Sequence, residues 1–153
     1  MTTGLFVYGT LGVASTAFAC WANRRLFSGG VGRPTLLEGL YVTFAVAALG
    51  LGWYFNVRYV HQTGSSATYW NFTKAIFANP AADSAAQDTV IVNLVLLPLW
   101  TIVDGRRRGL RHAWIFFVMS LFTSLAFAMG FYLAFVERQE RYRALEPADS
   151  STA

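Results

Sequence analysis

The chain has 153 residues, enough for one domain, but only 13% of them are charged whereas 55% are apolar. Soluble domains carry about 25% charged residues, so this composition excludes an ordinary soluble enzyme and a disordered chain. A single cysteine also excludes a disulfide scaffold, and the sequence therefore predicts an all-α integral membrane protein, a helical bundle.

Four apolar stretches that carry almost no charged side chains predict four transmembrane helices, at about 4–22, 36–57, 85–103 and 113–136. Each has close to the roughly 20 apolar residues that cross the hydrocarbon core of a bilayer. Residues 1–137 are then expected to form a single membrane-embedded helical domain. Residues 138–153 are expected to form a polar, partly disordered tail.

The first stretch carries small residues at every fourth position, Gly12, Thr16 and Cys20, a spacing that suits close packing against a neighbouring helix. The three residues before Cys20, Ala17-Phe18-Ala19, resemble a signal-peptide cleavage site, which would make Cys20 a candidate for lipidation. The chain start lacks the positive charge of a signal peptide, and this favours a retained span. Both alternatives stay open at this point.

The connection between the second and third spans contains a short amphipathic segment at about 69–77. Its aromatic residues recur at helical spacing, which predicts a helix lying along the membrane interface. Asn79-Pro80 should end that helix, since the residue before a proline avoids the α region. The third span contains Pro98, which should kink it, and it reaches full length only if the alanine-rich segment before it is helical too.

The orientation follows from the basic residues. With four crossings, residues 23–35 and 104–111 lie on one side and hold seven basic residues, whereas the other side holds five. The short Arg106–Arg111 loop concentrates positive charge and is therefore expected in the cytoplasm. The sequence thus predicts an inner (plasma) membrane protein with both termini outside. Because the basic residues sit beside helix ends and form no extended stripe, no nucleic-acid partner is expected.

Several short motifs follow one another from the outer loop onward: Phe77-Ala78-Asn79-Pro80, Asp88, Val103-Asp104-Gly105-Arg106-Arg107, His112-Ala113-Trp114 and Glu137-Arg138. In this order the chain, over about 36–138, resembles a family of short bacterial multi-pass membrane proteins, the domain-of-unknown-function family 2834. The helix at 4–22 and the tail are extra, and Asp104 stands where a glutamate is usual. The resemblance implies a compact helical membrane unit and supplies no reaction.

The polar residues that could serve a function are predicted to form two layers at the span ends. The outer layer is expected to contain Arg58, His61, Trp70, Asn79, Asp88, Glu137 and Arg138. The inner layer is expected to contain Glu38, Asp104, Arg106 and Arg107. No metal cluster, cofactor motif or nucleophile–base pair is recognisable by spacing, so neither a metal nor a cofactor is expected.

Two interpretations of the outer layer compete. Arg58 would pair with Asp88 or Glu137 across neighbouring helices and so fix their depth, because unpaired charges near a bilayer are costly. Alternatively, Asp88 would lie beside aromatic side chains (Trp53, Tyr54 and Trp70) as a partly desolvated acid lining an outer pocket. No catalytic residue is assigned, and Asp88 and Glu137 are the two candidates.

The favoured function is a non-enzymatic accessory or structural subunit, or a lipid-associated module. A membrane-embedded, acid-initiated terpenoid or lipid cyclase, with Asp88 or Glu137 as the acid, is one alternative. A homo-oligomeric channel or small-solute carrier is another. The expected partners are membrane lipids, and in addition another membrane protein or a second copy of the chain.

Overall fold

The computed structural model describes residues 3–28 and 31–145, and the regular elements within these residues are all helical. Seven α-helices follow one another along the chain. They are α1 (Thr3–Ala22), α2 (Leu36–Thr63), α3 (Tyr69–Ile76), α4 (Pro80–Ile91), α5 (Leu97–Arg107), α6 (Ile115–Phe122) and α7 (Leu125–Leu145). The all-helical class predicted from the sequence is confirmed for this part of the chain.

Helix α2 begins at a side-chain cap and is longer than the sequence indicated. The hydroxyl of Thr35 accepts a hydrogen bond from the backbone N–H of Glu38, which satisfies one of the donors that an α-helix leaves unpaired at its start. With the 3-10 turn that follows it, the helical segment extends over Leu36–Ser66 instead of ending near residue 57. It is long enough to cross a membrane with residues to spare.

Two short capping motifs organise the connection after α2. Thr68 caps α3, and its hydroxyl accepts a hydrogen bond from the N–H of Asn71. Asn79 caps α4 in the same way, since its side-chain oxygen accepts from Ala81 and Ala82 and Pro80 occupies the first turn. The short helix predicted at 69–77 is therefore present as α3. The pair Asn79-Pro80 lies after the end of α3 and begins the next helix, α4.

Helices α4 and α5 form one continuous helical segment, Pro80–Arg107, joined by a π-helical turn at Val92–Leu96. Pro98 explains the turn, because a proline lacks an N–H and its ring clashes with the carbonyl group four residues earlier in a regular helix. Widening the backbone just before the proline relieves that clash. The alanine-rich approach is helical, so the third span is longer than the predicted 85–103.

The fourth predicted span, 113–136, is not a single helix. It is interrupted at Thr123 and Ser124, and α7 runs back alongside α6. The Phe116 ring lies 5.2 Å from the Tyr132 ring and 5.5 Å from the Phe135 ring. In one straight helix, Tyr132 would lie about 24 Å along the axis from Phe116. The prediction of one uninterrupted helix was therefore wrong, and α6 and α7 form a helical hairpin.

Short polar side chains make the reversal between α6 and α7. The Thr123 hydroxyl donates to the carbonyl of Met119 in the last turn of α6. The Ser124 hydroxyl accepts from the N–H of Phe127 and so caps the start of α7. Within the uncharged run at 113–136 these two hydroxyls are easy to overlook, yet Ser before an apolar run is a helix-start pattern.

The tip of the hairpin is covered by glycines of two other helices. A Cβ atom added to Gly12 of α1 would lie 3.0 Å from Cγ2 of Thr123, and one added to Gly52 of α2 would lie 3.9 Å from Cβ of Ser124. Backbone that leaves the helix at membrane depth is tolerated where protein buries it. The two glycines provide that cover.

Within the described residues, three helical segments are long and apolar enough to cross a membrane: Thr3–Ala22, Leu36–Ser66 and Pro80–Arg107. Their outer faces expose large apolar side chains such as Phe6, Phe44 and Leu94. The core lies between the hairpin and these segments, where Phe116, Met119 and Tyr132 are fully buried.

The start of the predicted tail belongs to the bundle. Helix α7 continues without a break to Leu145, and Gln139 is only 2% exposed. The helical domain thus extends beyond residue 137, where the sequence suggested that it ends. Residues 146–153, the rest of that tail, lie outside the described residues.

Candidate functional site

A buried carboxylate joins α2 to the end of α7. Glu38 is 6% exposed, and its two oxygens accept hydrogen bonds from Arg138 Nη1 at 2.7 Å and Arg141 Nη2 at 2.6 Å. Each of these bonds is charge-assisted, the strong class of protein hydrogen bond. The three side chains hold the last turns of α7 against the first turn of α2.

A second ionic cluster joins α5 to α7. Arg108 Nε donates to both oxygens of Asp104, at 2.9 and 2.8 Å, and Arg108 Nη1 donates to Glu140 at 2.8 Å. The Tyr132 hydroxyl donates to Asp104 at 2.6 Å. The hydrogen bond to Asp104 raises the pKa of the Arg108 guanidinium above its already high ordinary value.

Gly105 allows α5 and α6 to approach closely beside this cluster. A Cβ atom at Gly105 would lie 2.5 Å from the Cβ of Ala113, a distance that real side chains do not reach. The spacing Asp104-Gly105 therefore has a packing reason: the aspartate meets Tyr132 while the glycine leaves room for the start of the hairpin.

Arginines near the two ionic clusters also donate to backbone carbonyls across the bundle. Arg138 Nε donates to Leu26 O at 2.6 Å, and Arg25 Nη2 donates to Gly109 O at 2.6 Å. These bonds connect the segment after α1 with α7 and with the loop after α5. They satisfy carbonyl groups that loops leave without a helical partner.

Glu137 and Arg138 do not lie in the outer layer where the sequence placed them. Arg138 pairs with Glu38, an inner-layer residue, and Glu137 accepts a hydrogen bond of 3.3 Å from the hydroxyl of Thr35. The grouping of these two residues with Arg58 and Asp88 was wrong. The physical reason is the reversal at residues 123–124, which returns α7 to the end from which α6 departs.

Asp88 and Arg58 are not paired. Asp88 is exposed and accepts a hydrogen bond from the neighbouring Gln87, and in the described part of the chain Arg58 forms no ion pair. Arg58 and His61 instead line an open groove of about 530 Å³ together with Trp53 and Tyr54. Asp88 does not line it, so both interpretations of this acid that the sequence offered were wrong in their geometry.

Two other predicted outer residues have local roles. Trp70 is 64% exposed on α3 and carries the Lys74 ammonium 5.3 Å from its ring centre. Asn79 caps α4 as described above. Of the predicted inner residues, Arg106 and Arg107 lie exposed at the end of α5, and the backbone oxygen of Arg107 accepts a hydrogen bond from Arg143.

The contacts place most of the positive charge at one end of the bundle, which we call the cationic end. It contains the segment after α1, the start of α2, the loop after α5 and the end of α7. Ten of the twelve basic residues lie there, against four acids of the described chain, whereas the opposite end holds Arg58, Lys74, Asp83 and Asp88. The ten are Arg24, Arg25, Arg33, Arg106, Arg107, Arg108, Arg111, Arg138, Arg141 and Arg143.

Among the residues that the structure describes, no three His, Cys, Asp or Glu side chains are grouped so that they could hold a metal ion. The two histidines lie at opposite ends of the bundle, since His61 lines the groove on α2 and His112 lies in the loop before α6. The arrangement is built from arginine–carboxylate pairs and from arginines without such partners. Its chemistry is that of an anion-attracting surface.

The fold thus defines a small helical protein whose long helices are apolar enough to cross a membrane and whose charges gather at one end. Comparison with protein families assigns it further: the model of the protein family of unknown function DUF2834 matches residues 40–138, and the chain belongs to this family. Neither a curated protein nor a solved structure matches the chain.

Proposed function

We propose that the protein is a multi-pass protein of the plasma membrane that acts as a lipid-associated structural or accessory module and has no reaction of its own. In this proposal α1, α2 and the α4–α5 segment each cross the bilayer. The α6–α7 hairpin enters from the cytoplasmic side and returns to it. The cationic end then faces the cytoplasm.

The observation that carries the proposal is the division of the basic residues. Four crossings would divide them seven to five, whereas three crossings with a returning hairpin divide them ten to two. The positive-inside rule is stated for short loops next to span ends, which is where these arginines lie. The returning hairpin therefore gives the stronger charge asymmetry, and the cytoplasmic leaflet supplies the anionic lipids that such a surface attracts.

The acid-initiated cyclase loses support, because its two candidate acids lie at opposite ends of the bundle. Asp88 is exposed beside Gln87, and Glu137 is bound by Thr35 at the cationic end. Neither acid lines either of the cavities described here. A cyclase needs its acid within reach of a bound hydrocarbon in a closed aromatic cavity. No specific observation favours the channel or carrier.

Single cysteines in a Cys20→Ser variant test the arrangement in the membrane. Ser28, Ser66 and Leu145 are exposed and lie after α1, after α2 and at the end of α7. We expect a membrane-impermeant maleimide to label Ser66→Cys in intact cells, and to label Ser28→Cys and Leu145→Cys only after the membrane is opened.

Labelling of Leu145→Cys together with Ser66→Cys in intact cells would show that α7 ends on the outer side. The proposed arrangement would then be wrong. Labelling of Ser28→Cys and Leu145→Cys in intact cells, with Ser66→Cys protected, would reverse the orientation and remove the basis for association with cytoplasmic lipids.

A further inference from the structure

A small cavity opens at the cationic end between the end of α1 and the start of α6. Its volume is about 130 Å³, and its lining residues are Trp21, Ala22, Arg24, Arg111 and His112. Two arginines and a histidine thus converge on one space. None of the lining residues belongs to the two ionic clusters around Glu38 and Asp104.

A buried asparagine fixes the two walls of the cavity to each other. Asn23 is fully buried, and its side-chain amide donates to Arg111 O at 3.0 Å and accepts from Arg111 N at 2.9 Å. The same amide donates to Ala19 O at 3.1 Å in the last turn of α1. Arg24 follows Asn23 in the chain, and Arg111 is the residue that Asn23 binds. These hydrogen bonds therefore bring the Arg24 and Arg111 side chains to one place in the fold.

In the part of the chain that the structure describes, no carboxylate neutralises the positive charge of this cavity. The four acids of the cationic end are bound elsewhere: Glu38 to Arg138 and Arg141, Asp104 and Glu140 to Arg108, and Glu137 to Thr35. In the described chain neither Arg24 nor Arg111 meets a carboxylate. The Arg24 guanidinium lies 5.8 Å from the centre of the Trp21 ring, which orients it without cancelling its charge.

The backbone at His112 is held in an uncommon conformation. Its φ angle is 53°, in the left-handed region that non-glycine residues adopt uncommonly and in which His, like Asn and Asp, is over-represented. Its ring contacts the Phe18 ring, 5.5 Å away, and the Trp114 ring, 6.4 Å away. These ring contacts hold the His112 side chain at the rim of the cavity.

The depth of the cavity indicates what surrounds it. Trp21, which lines the cavity, and Trp114, which contacts His112, are 59% and 45% exposed at the ends of their helices. Exposed tryptophans at span ends mark the level of the lipid headgroups. The cavity is smaller than pockets that enclose a drug-sized molecule, so it admits a headgroup phosphate with the acyl chains outside.

We propose that the cavity of Arg24, Arg111 and His112 binds the phosphate of an anionic phospholipid of the cytoplasmic leaflet. This inference rests on the proposed membrane arrangement, which places the cavity at that leaflet. Arginine guanidinium groups bind phosphate oxygens in pairs of hydrogen bonds, and the His112 ring adds a further polar group. An anionic headgroup is favoured over a zwitterionic one, because a choline cation would face two arginines.

Binding of phosphatidylglycerol to the purified full chain in a neutral detergent tests the site, with bound lipid counted by native mass spectrometry. The decisive variant is Arg24→Gln with Arg111→Gln. The matched control is Arg33→Gln with Arg106→Gln, which removes the same charge from exposed arginines of the same end that do not line the cavity. We expect the cavity variant to bind about tenfold more weakly or worse, and the control to change much less.

Three results would overturn the site. Equal losses in both double variants would show general charge attraction only, and phosphatidylcholine bound as tightly as phosphatidylglycerol would remove the anionic selectivity. Displacement of the lipid by low millimolar inorganic phosphate would show a site for free phosphate.

If the glutamine pair does not fold, Arg24→Lys with Arg111→Lys keeps the charge but loses the paired geometry, and binding as tight as that of the unchanged chain would equally refute the site. The cysteine-labelling result is independent, so the proposed arrangement can stand while this site fails.

Discussion

At the scale of the residue, Glu38 carries the most consequential ionic contact of the molecule. Its carboxylate is nearly buried and faces two guanidinium groups, whereas Glu140 holds its arginine with a side chain that is 48% exposed. A buried charge that loses its partners keeps its desolvation penalty, but an exposed one is solvated again by water. The two glutamates therefore form a matched pair for experiment.

We predict that Glu38→Gln destabilises the protein in detergent by about 3 kcal/mol, because Arg138 and Arg141 then face each other without a counter-charge. Glu140→Gln should cost less than about 1 kcal/mol. Thermal unfolding followed by circular dichroism measures both. Equal and small losses would mean that the buried cluster contributes nothing particular to the attachment of α7.

The sequence could identify Glu38, Asp104 and the arginines as a polar layer, because they interrupt apolar runs at span ends. It could not pair them. Glu38 and Arg138 are 100 residues apart, and their pairing depends on where the chain turns between them. The same limit explains why Arg58 was expected to meet Asp88: both end apolar runs, yet similar depth does not imply neighbouring helices.

At the scale of the element, apolar stretches with almost no charge predicted the long helices, and the spacing of aromatic residues predicted α3. The hairpin could not be predicted from apolar length alone, since residues 113–136 contain no charge and hydropathy treats them as one run. What ends α6 is local: the hydroxyls of Thr123 and Ser124 bond to the backbone. The reversal of the chain therefore depends on those two side chains and on the glycines that pack against them.

The approach of α5 to α6 gives the prediction at this scale. Gly105→Ala should destabilise the protein by about 1–3 kcal/mol, because the new methyl group would overlap Cβ of Ala113 and force the two helices apart. Gly39→Ala on α2 is the control, since a Cβ atom there meets nothing within 4 Å. Thermal unfolding in detergent compares them. A stabilising effect of both alanines would mean that helix propensity outweighs packing at Gly105.

At the scale of the whole molecule, the returning hairpin makes the protein asymmetric along its long axis. Five helix ends and two ionic clusters meet at the cationic end, whereas the opposite end has exposed aromatic side chains and an open groove. The match to the family model ends at residue 138. The contacts of Arg141, Glu140 and Gln139 lie just beyond that point, so the folded unit of this chain is longer than the matched segment.

Truncation tests where that unit ends. A chain that stops after Glu137 loses Arg138 and Arg141, and the Glu38 carboxylate is then left buried without a cation. It also loses the bond from Arg138 to Leu26 O. Since an uncompensated buried charge costs about 3–5 kcal/mol and a whole domain is stable by only about 5–15 kcal/mol, we expect this truncation to unfold or to melt at a much lower temperature in detergent.

A second truncation, after Leu145, is the matched control because it retains all of these contacts. We expect it to elute as a sharp peak in size-exclusion chromatography and to resist limited proteolysis, while the shorter chain aggregates or is digested. Equal thermal stability of the two truncated chains would show that the last turns of α7 are not part of the folded unit. In that case the ionic contacts of Glu38 would form without contributing to the stability of the hairpin.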